Sequence, residues 1–135
     1  SFELRFRQQC DNAAAVASML ESSDRVAGVL YPGLESHETH AAAKELTGGK
    51  GYGAMITFDL AGASPEAKRE RRDRFIAAVY PEIRLIPTLG DNHTILMPVE
   101  AVWGTKYPEP GMIRLSVGYE ETDRLAAIIG RGLKG

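Results

Sequence analysis

In its 135 residues the sequence holds one cysteine, Cys10. A single thiol excludes an intrachain disulfide framework and fits a reducing compartment, so a cytoplasmic location is expected. Charge of neither sign dominates: 16 Lys and Arg against 18 Asp and Glu leave a net charge of −2. Without a basic field the chain has little with which to hold nucleic acid or an anionic membrane surface, and neither is expected as a partner. No apolar run reaches the ~20 residues of a membrane span, and the N-terminus is charged rather than signal-like. Internal repeats and low-complexity segments are absent too. The opening Ser-Phe-Glu-Leu lacks an initiator Met, as expected of a processed chain or a piece of something longer.

What remains is ordinary globular material, 44% apolar and 25% charged. That is enough for one domain with a real core and too little for two. Ala13, Val16, Ala17 and Leu20 follow the spacing of a core-facing stripe and predict a helix over 11–21, with room to extend back to residue 5. After the polar break 21–24, residues 26–31 read as a short buried strand that Pro32-Gly33 stops. Ser36 is placed to cap a helix over 37–47, and a glycine-rich connection over 48–53 follows. Ile56, Phe58 and Leu60 alternate, as in a half-buried strand over 55–60. Ser64-Pro65-Glu66 is a strong helix start, and that helix runs to about residue 80. Its buried side is Phe75, Ile76 and Val79, while the mixed charges over 68–74 read as a solvated face.

A third strand is expected over 83–89, with Pro87 placing it at an edge or making it irregular. A turn follows at 90–93. Residues 94–110 contain three prolines and read mostly as loop, with Trp103 as a packing residue. The fourth strand, 112–117, sends Ile113, Leu115 and Val117 one way and Met112, Arg114 and Ser116 the other. The last helix carries the stripe Leu125, Ile128, Ile129 and Leu133. The expected fold is α/β, a small sheet of about four strands with helices on one face. Arg114, Ser116 and Thr88 are then expected on the other face.

Most chemical motifs fail on inspection. His37 and His40 are three apart, but no HExxH pattern or third ligand accompanies them, so no metal is expected. The glycine-rich stretch lacks the Gly-Lys-Ser/Thr ending of a P-loop and leads into a strand rather than a helix. Cys10 has no activating neighbour, no Gly-x-Ser-x-Gly elbow is present, and Glu120-Glu121 is explained by a helix dipole. Arg114 stands out. An arginine within a half-buried strand needs a partner. Bidentate pairing with an external carboxylate and an internal salt bridge are evenly matched on these grounds.

The residues 111–120, Gly-Met-Ile-Arg-Leu-Ser-Val-Gly-Tyr-Glu, resemble the C-terminal signature of the Cys/Met metabolism (transsulfuration) family of pyridoxal-phosphate (PLP) enzymes. That family includes cystathionine synthases and lyases, O-acetylhomoserine sulfhydrylases and methionine gamma-lyases. Four further blocks are similar to the family's, in the right order. They are the Asn-Ala-Ala-Ala-Val-Ala of 12–17 with Leu20, the stretch 29–40 containing Tyr-Pro-Gly-Leu, Gly-Ala-Met-Ile-Thr-Phe at 53–58, and Thr-Leu-Gly-Asp at 88–91. Together they cover nearly the whole chain.

The resemblance implies that the chain is a single domain over 1–135, the C-terminal domain of a fold type I PLP enzyme. It implies that Arg114 binds a substrate's α-carboxylate with Thr88 beside it, and that the substrate is a sulfur-containing or related amino acid. Cofactor and Schiff-base lysine would belong to a larger N-terminal domain absent from this chain. Lys44, Lys50, Lys68, Lys106 and Lys134 match no lysine motif of the family, so no catalytic or cofactor-binding residue is expected here. The full-length enzyme would be a lyase or transferase and a homo-oligomer, and this chain alone would be inactive. Departures from the family pattern are Gln9, where a His is usual, His93-Thr94, where Glu-Ser or Glu-Thr is usual, and 97–101, which do not align. A non-catalytic amino-acid-binding or assembly module is the alternative from a different class. A plain domain with a salt-bridged Arg114 is the third reading.

Overall fold

A computed structural model describes residues 2–31, 54–86, 93–99 and 110–134. The elements are α1 (Phe2–Glu21), β1 (Val26–Leu30), β2 (Met55–Leu60), α2 (Pro65–Val79), β3 (Arg84–Leu85), β4 (Ile95–Pro98), β5 (Met112–Ser116) and α3 (Thr122–Lys134). Among the described residues they form one five-stranded sheet in the order β1-β2-β5-β4-β3. Neighbours are antiparallel except β3 and β4, which run parallel.

The two periodicities read in the sequence meet in the core. Ile56, Phe58 and Leu60 of β2 lie on the same sheet face as Ile113 and Leu115 of β5, and all are buried. The stripes of α1 (Ala13, Val16, Ala17, Leu20) and α3 (Leu125, Ile128, Ile129) pack over that face with Phe75 and Val79 of α2. Each large apolar side chain so buried contributes about 1.5–3 kcal/mol. The start of α2 is as expected: Pro65 opens the helix, and Ser64 Oγ accepts from the Ala67 N–H at 3.1 Å. No described helix packs on the opposite face.

Several expectations are corrected. The described sheet has five strands, because β4 lies within the stretch read as loop. Its four residues are all buried, so the strand shows no alternation. The strand expected over 83–89 contributes only Arg84–Leu85 to the described sheet, and Leu85 is exposed there rather than sharing the burial of Ile83. The edge position expected of it holds. The strand read as buried, β1, is the other edge of the described sheet, with Ala27, Gly28 and Leu30 exposed. Within the charged run of α2, Arg74 and Glu70 form an i,i+4 pair at 3.4 Å, both exposed as expected of a solvated face. Arg72 instead turns inward, only 9% exposed, and donates through Nη1 to the Pro110 carbonyl at 3.2 Å. The expected helix over 37–47, the glycine-rich connection, Trp103 and Thr88 lie outside the described residues.

Candidate functional site

β5 is the strand that positions the candidate site, and it is fixed at both ends. At its entry, Arg72 holds the Pro110 carbonyl, and the Leu60 N–H donates to the Gly111 carbonyl at 3.0 Å. A Cβ on Gly111 would stand 2.7 Å from the Leu60 carbonyl oxygen and 2.9 Å from Asp59 Oδ1, so only glycine lets β2 and β5 approach here. At its exit, residues 117–122 are held by side chains from α1 and by the start of β4. Gln9 Nε2 donates to the Val117 carbonyl at 3.3 Å. Asn12, fully buried, donates through Nδ2 to the carbonyls of Gly118 (3.0 Å) and Glu120 (2.6 Å). Its Oδ1 accepts from Thr122 Oγ1 at 2.6 Å and Gln8 Nε2 at 3.1 Å. Thr94 Oγ1 accepts from the Gly118 N–H at 2.9 Å and donates to Glu120 Oε1 at 2.8 Å, while the Thr94 N–H donates to Glu120 Oε2 at 2.9 Å. Buried polar groups are tolerated when so satisfied.

Between these anchors, Arg114 lies on the face away from the helices, as its alternation with Ile113 and Leu115 requires. Pairing across the sheet sets Leu30, Thr57, Arg114 and Met97 in one row. The next row is Met55, Ser116, Ile95 and Arg84. Arg114 is half-buried. Its Nη2 lies 3.8 Å from Met97 Sδ, a weak acceptor that satisfies little of a guanidinium with five donors. Among the described residues no carboxylate pairs with Arg114. The internal salt bridge weighed from the sequence is therefore not found there.

Arg114, Ser116 and Met97 border a recess of about 10 Å³. A space of that size holds no more than about one water. It abuts, through Ile86 and Ile95, a hollow of about 310 Å³ that His93, Thr94 and Arg84 also line. That volume is at the lower end of what small-ligand sites use, about 300–1,000 Å³. The structure thus brings Arg114 and Ser116 onto one face as expected. Thr88, the expected companion of Arg114, lies outside the described residues.

Other chemistry-bearing residues are committed elsewhere. Lys68 Nζ lies 2.9 Å from Asp59 Oδ2, and Lys134 is exposed at the end of α3. Glu82 receives both arms of the Arg131 guanidinium at 2.8 and 2.9 Å. That hydrogen bonding first, then a hydrogen bond from its own backbone, and the attraction of the cation further, hold its carboxyl at about 2, below the ordinary 4.5. Arg131 is correspondingly raised by the same partner. Among the described residues no three His, Cys, Asp or Glu gather to hold a metal. No described helix is long and apolar enough to cross a membrane. The sequence reading missed the roles of Asn12, Thr94 and Glu120. For Asn12 a signal existed: it stands four residues before Val16, on the apolar stripe, where a polar side chain needs partners.

A family model for the Cys/Met metabolism PLP-dependent enzymes matches residues 1–134. The chain is 38% identical to a canavanine gamma-lyase from Rhizobium leguminosarum bv. trifolii, over 96% of this chain and 33% of that protein. It is 30% identical to an L-methionine gamma-lyase from Fusobacterium nucleatum subsp. polymorphum, over 99% of this chain and 34% of that one. Among solved structures, the O-acetylhomoserine sulfhydrylase of Wolinella succinogenes superimposes with a TM-score of 0.82 at 30% identity, covering 98% of this chain and 35% of that one. Cystathionine gamma synthase from Xanthomonas oryzae pv. oryzae gives 0.80 at 25% identity, covering 98% and 34%. The chain spans about a third of the length of the relatives it matches.

Proposed function

This chain belongs to the Cys/Met metabolism family of PLP-dependent enzymes, and we propose that it serves as the C-terminal, substrate-carboxylate-binding domain of such an enzyme. The substrate class is a sulfur-containing or related amino acid, in keeping with the relatives' names. The observation that carries the reading is Arg114. Its guanidinium stands half-buried on the sheet face away from the helices, with no carboxylate of the described residues against it. A planar fork of donors in that state matches a carboxylate brought from outside.

A Schiff base needs a free lysine near the substrate. Of the described lysines, Lys68 is ion-paired with Asp59 and Lys134 ends α3, and α2 and α3 pack on the face opposite Arg114. The described residues do not fit the family's cofactor. In this reading the cofactor is held by a larger N-terminal part of the parent protein. The role of this chain is positioning: Arg114 fixes the α-carboxylate and so orients the amino acid, which removes rotational freedom before any bond changes. Alone, the chain is inactive.

Two measurements test the proposal. Adding pyridoxal phosphate to the 135-residue chain, followed by borohydride, is expected to give no stable aldimine band and no modified lysine. A stable internal aldimine in this chain would sink the division of labour. In the parent protein, Arg114→Ala is expected to weaken L-methionine binding by about 2–4 kcal/mol, roughly 30- to 700-fold, the loss of two charge-assisted hydrogen bonds. L-methioninol, which lacks the carboxylate, is expected to bind parent and variant alike.

A further inference from the structure

We infer that Thr94 and Glu120 form a clamp that positions the Arg114 guanidinium for its ligand. The inference rests on the carboxylate-binding reading above, and it concerns residues outside the guanidinium's own contacts.

The geometry is specific. Thr94 immediately precedes β4, and Gly118 and Glu120 follow β5. Three hydrogen bonds cross between them: Gly118 N–H to Thr94 Oγ1 at 2.9 Å, Thr94 Oγ1 to Glu120 Oε1 at 2.8 Å, and Thr94 N–H to Glu120 Oε2 at 2.9 Å. One hydroxyl therefore both accepts and donates, and one carboxylate takes a backbone and a side-chain donor of the same residue. Thr94 is 1% exposed, so its own hydroxyl and N–H are shielded from water.

The clamp controls one relation above all, the position of β4 beside β5. The only described partner of the Arg114 guanidinium, Met97, is on β4 and pairs directly with Arg114 in the sheet. Ile95, one residue after Thr94, walls both the Arg114 recess and the wider hollow beside it. With the clamp in place, the guanidinium rests against the Met97 thioether and keeps its strong donors for a ligand. When the clamp is released, the start of β4 is free to shift against Ser116, and the wall that limits the guanidinium moves with it. From the other side Asn12 fixes the Gly118 and Glu120 carbonyls, so the movable partner is β4. Thr94 and Glu120 are thus positioning residues: they act on Arg114 through β4.

The test uses the Arg114 Nε–Hε resonance and L-methionine affinity, read on the same samples. Thr94→Val keeps the side chain's shape and removes the hydroxyl. It is expected to shift and broaden the Arg114 Nε–Hε signal and to raise the L-methionine Kd about 5- to 30-fold, the loss of one or two hydrogen bonds of ~1 kcal/mol each. Thr94→Ser restores the hydroxyl and is expected to recover both. Glu120→Gln keeps the shape and one acceptor, and stands in should Thr94→Val not fold; it is expected to move the same resonance. An Arg114 signal unchanged in a folded Thr94→Val or Glu120→Gln variant overturns the clamp. So does failure of Thr94→Ser to restore it. If L-methionine affinity is indifferent to Arg114→Ala, the carboxylate reading fails instead, and the resonance still decides the clamp.

Discussion

Replacing the two glycines of α3 by alanine should move stability in opposite directions. Both substitutions add one methyl group inside a helix, where alanine is favoured over glycine by about 1 kcal/mol, less near a fraying end. The surroundings differ. A Cβ on Gly132 would lie 2.7 Å from both Cδ2 and Cε2 of Phe75 and 2.8 Å from Val79 Cγ1. Carbon atoms pack comfortably at about 3.5–4.0 Å. Neither neighbour can yield cheaply: Phe75 is 1% and Val79 0% exposed, and the Phe75 ring is fixed edge-on against Phe58 at a 5.4 Å centroid distance. Overpacking of this kind costs about 1–3 kcal/mol, so it outweighs the propensity gain. Gly132→Ala is expected to lose about 1–2 kcal/mol. A Cβ on Gly130 meets only Met19 Cε, at 3.2 Å, the far end of a flexible side chain. Gly130→Ala is expected to gain about 0.5–1 kcal/mol. Urea unfolding with a common slope measures both, and a loss of 1 kcal/mol should lower Tm by about 3–5 °C. A Gly132→Ala chain as stable as the parent would refute the close α2–α3 approach on which the argument rests.

Two further outcomes follow from the polar contacts. Glu82 has a carboxyl depressed to about 2 from the ordinary 4.5. Its pairing with Arg131 therefore contributes fully above pH 4.5 and is lost as pH falls through about 2. Carboxyl NMR titration should find Glu82 protonating near 2 in the parent and nearer 4.5 in Arg131→Gln; an unchanged midpoint would remove Arg131 as the cause. Asn12→Ala should cost about 2–4 kcal/mol by urea unfolding, because it strands the buried Gly118 carbonyl and loses partners of Glu120 and Thr122. Asn12→Asp should be no better at neutral pH, since it sets a carboxylate against two carbonyl oxygens.

The elements legible in the sequence were those with a clean period. The α3 stripe, the alternation of β2 and the Ser64-Pro65 start of α2 each carried their own local signal, and all three are present as read. β4 carried none, because a short strand with every residue buried shows no period of two, and Pro98 at its end mimicked a loop. Arg72 was hidden by its neighbours: within a charged run, nothing local says which arginine turns inward to meet the carbonyl of Pro110, 38 residues away. For the site, the face of Arg114 followed from alternation alone. What held β5 in place did not, since Asn12 and Thr94 act across 106 and 24 residues of sequence respectively to reach Gly118.

The central claim is that Arg114 receives a carboxylate from outside the chain. A crystal structure of the parent protein with L-methionine bound tests it most directly. Both α-carboxylate oxygens are expected within about 2.7–2.9 Å of the Arg114 guanidinium nitrogens. An Asp or Glu of the protein itself occupying that fork, with the ligand's carboxylate elsewhere, would contradict it.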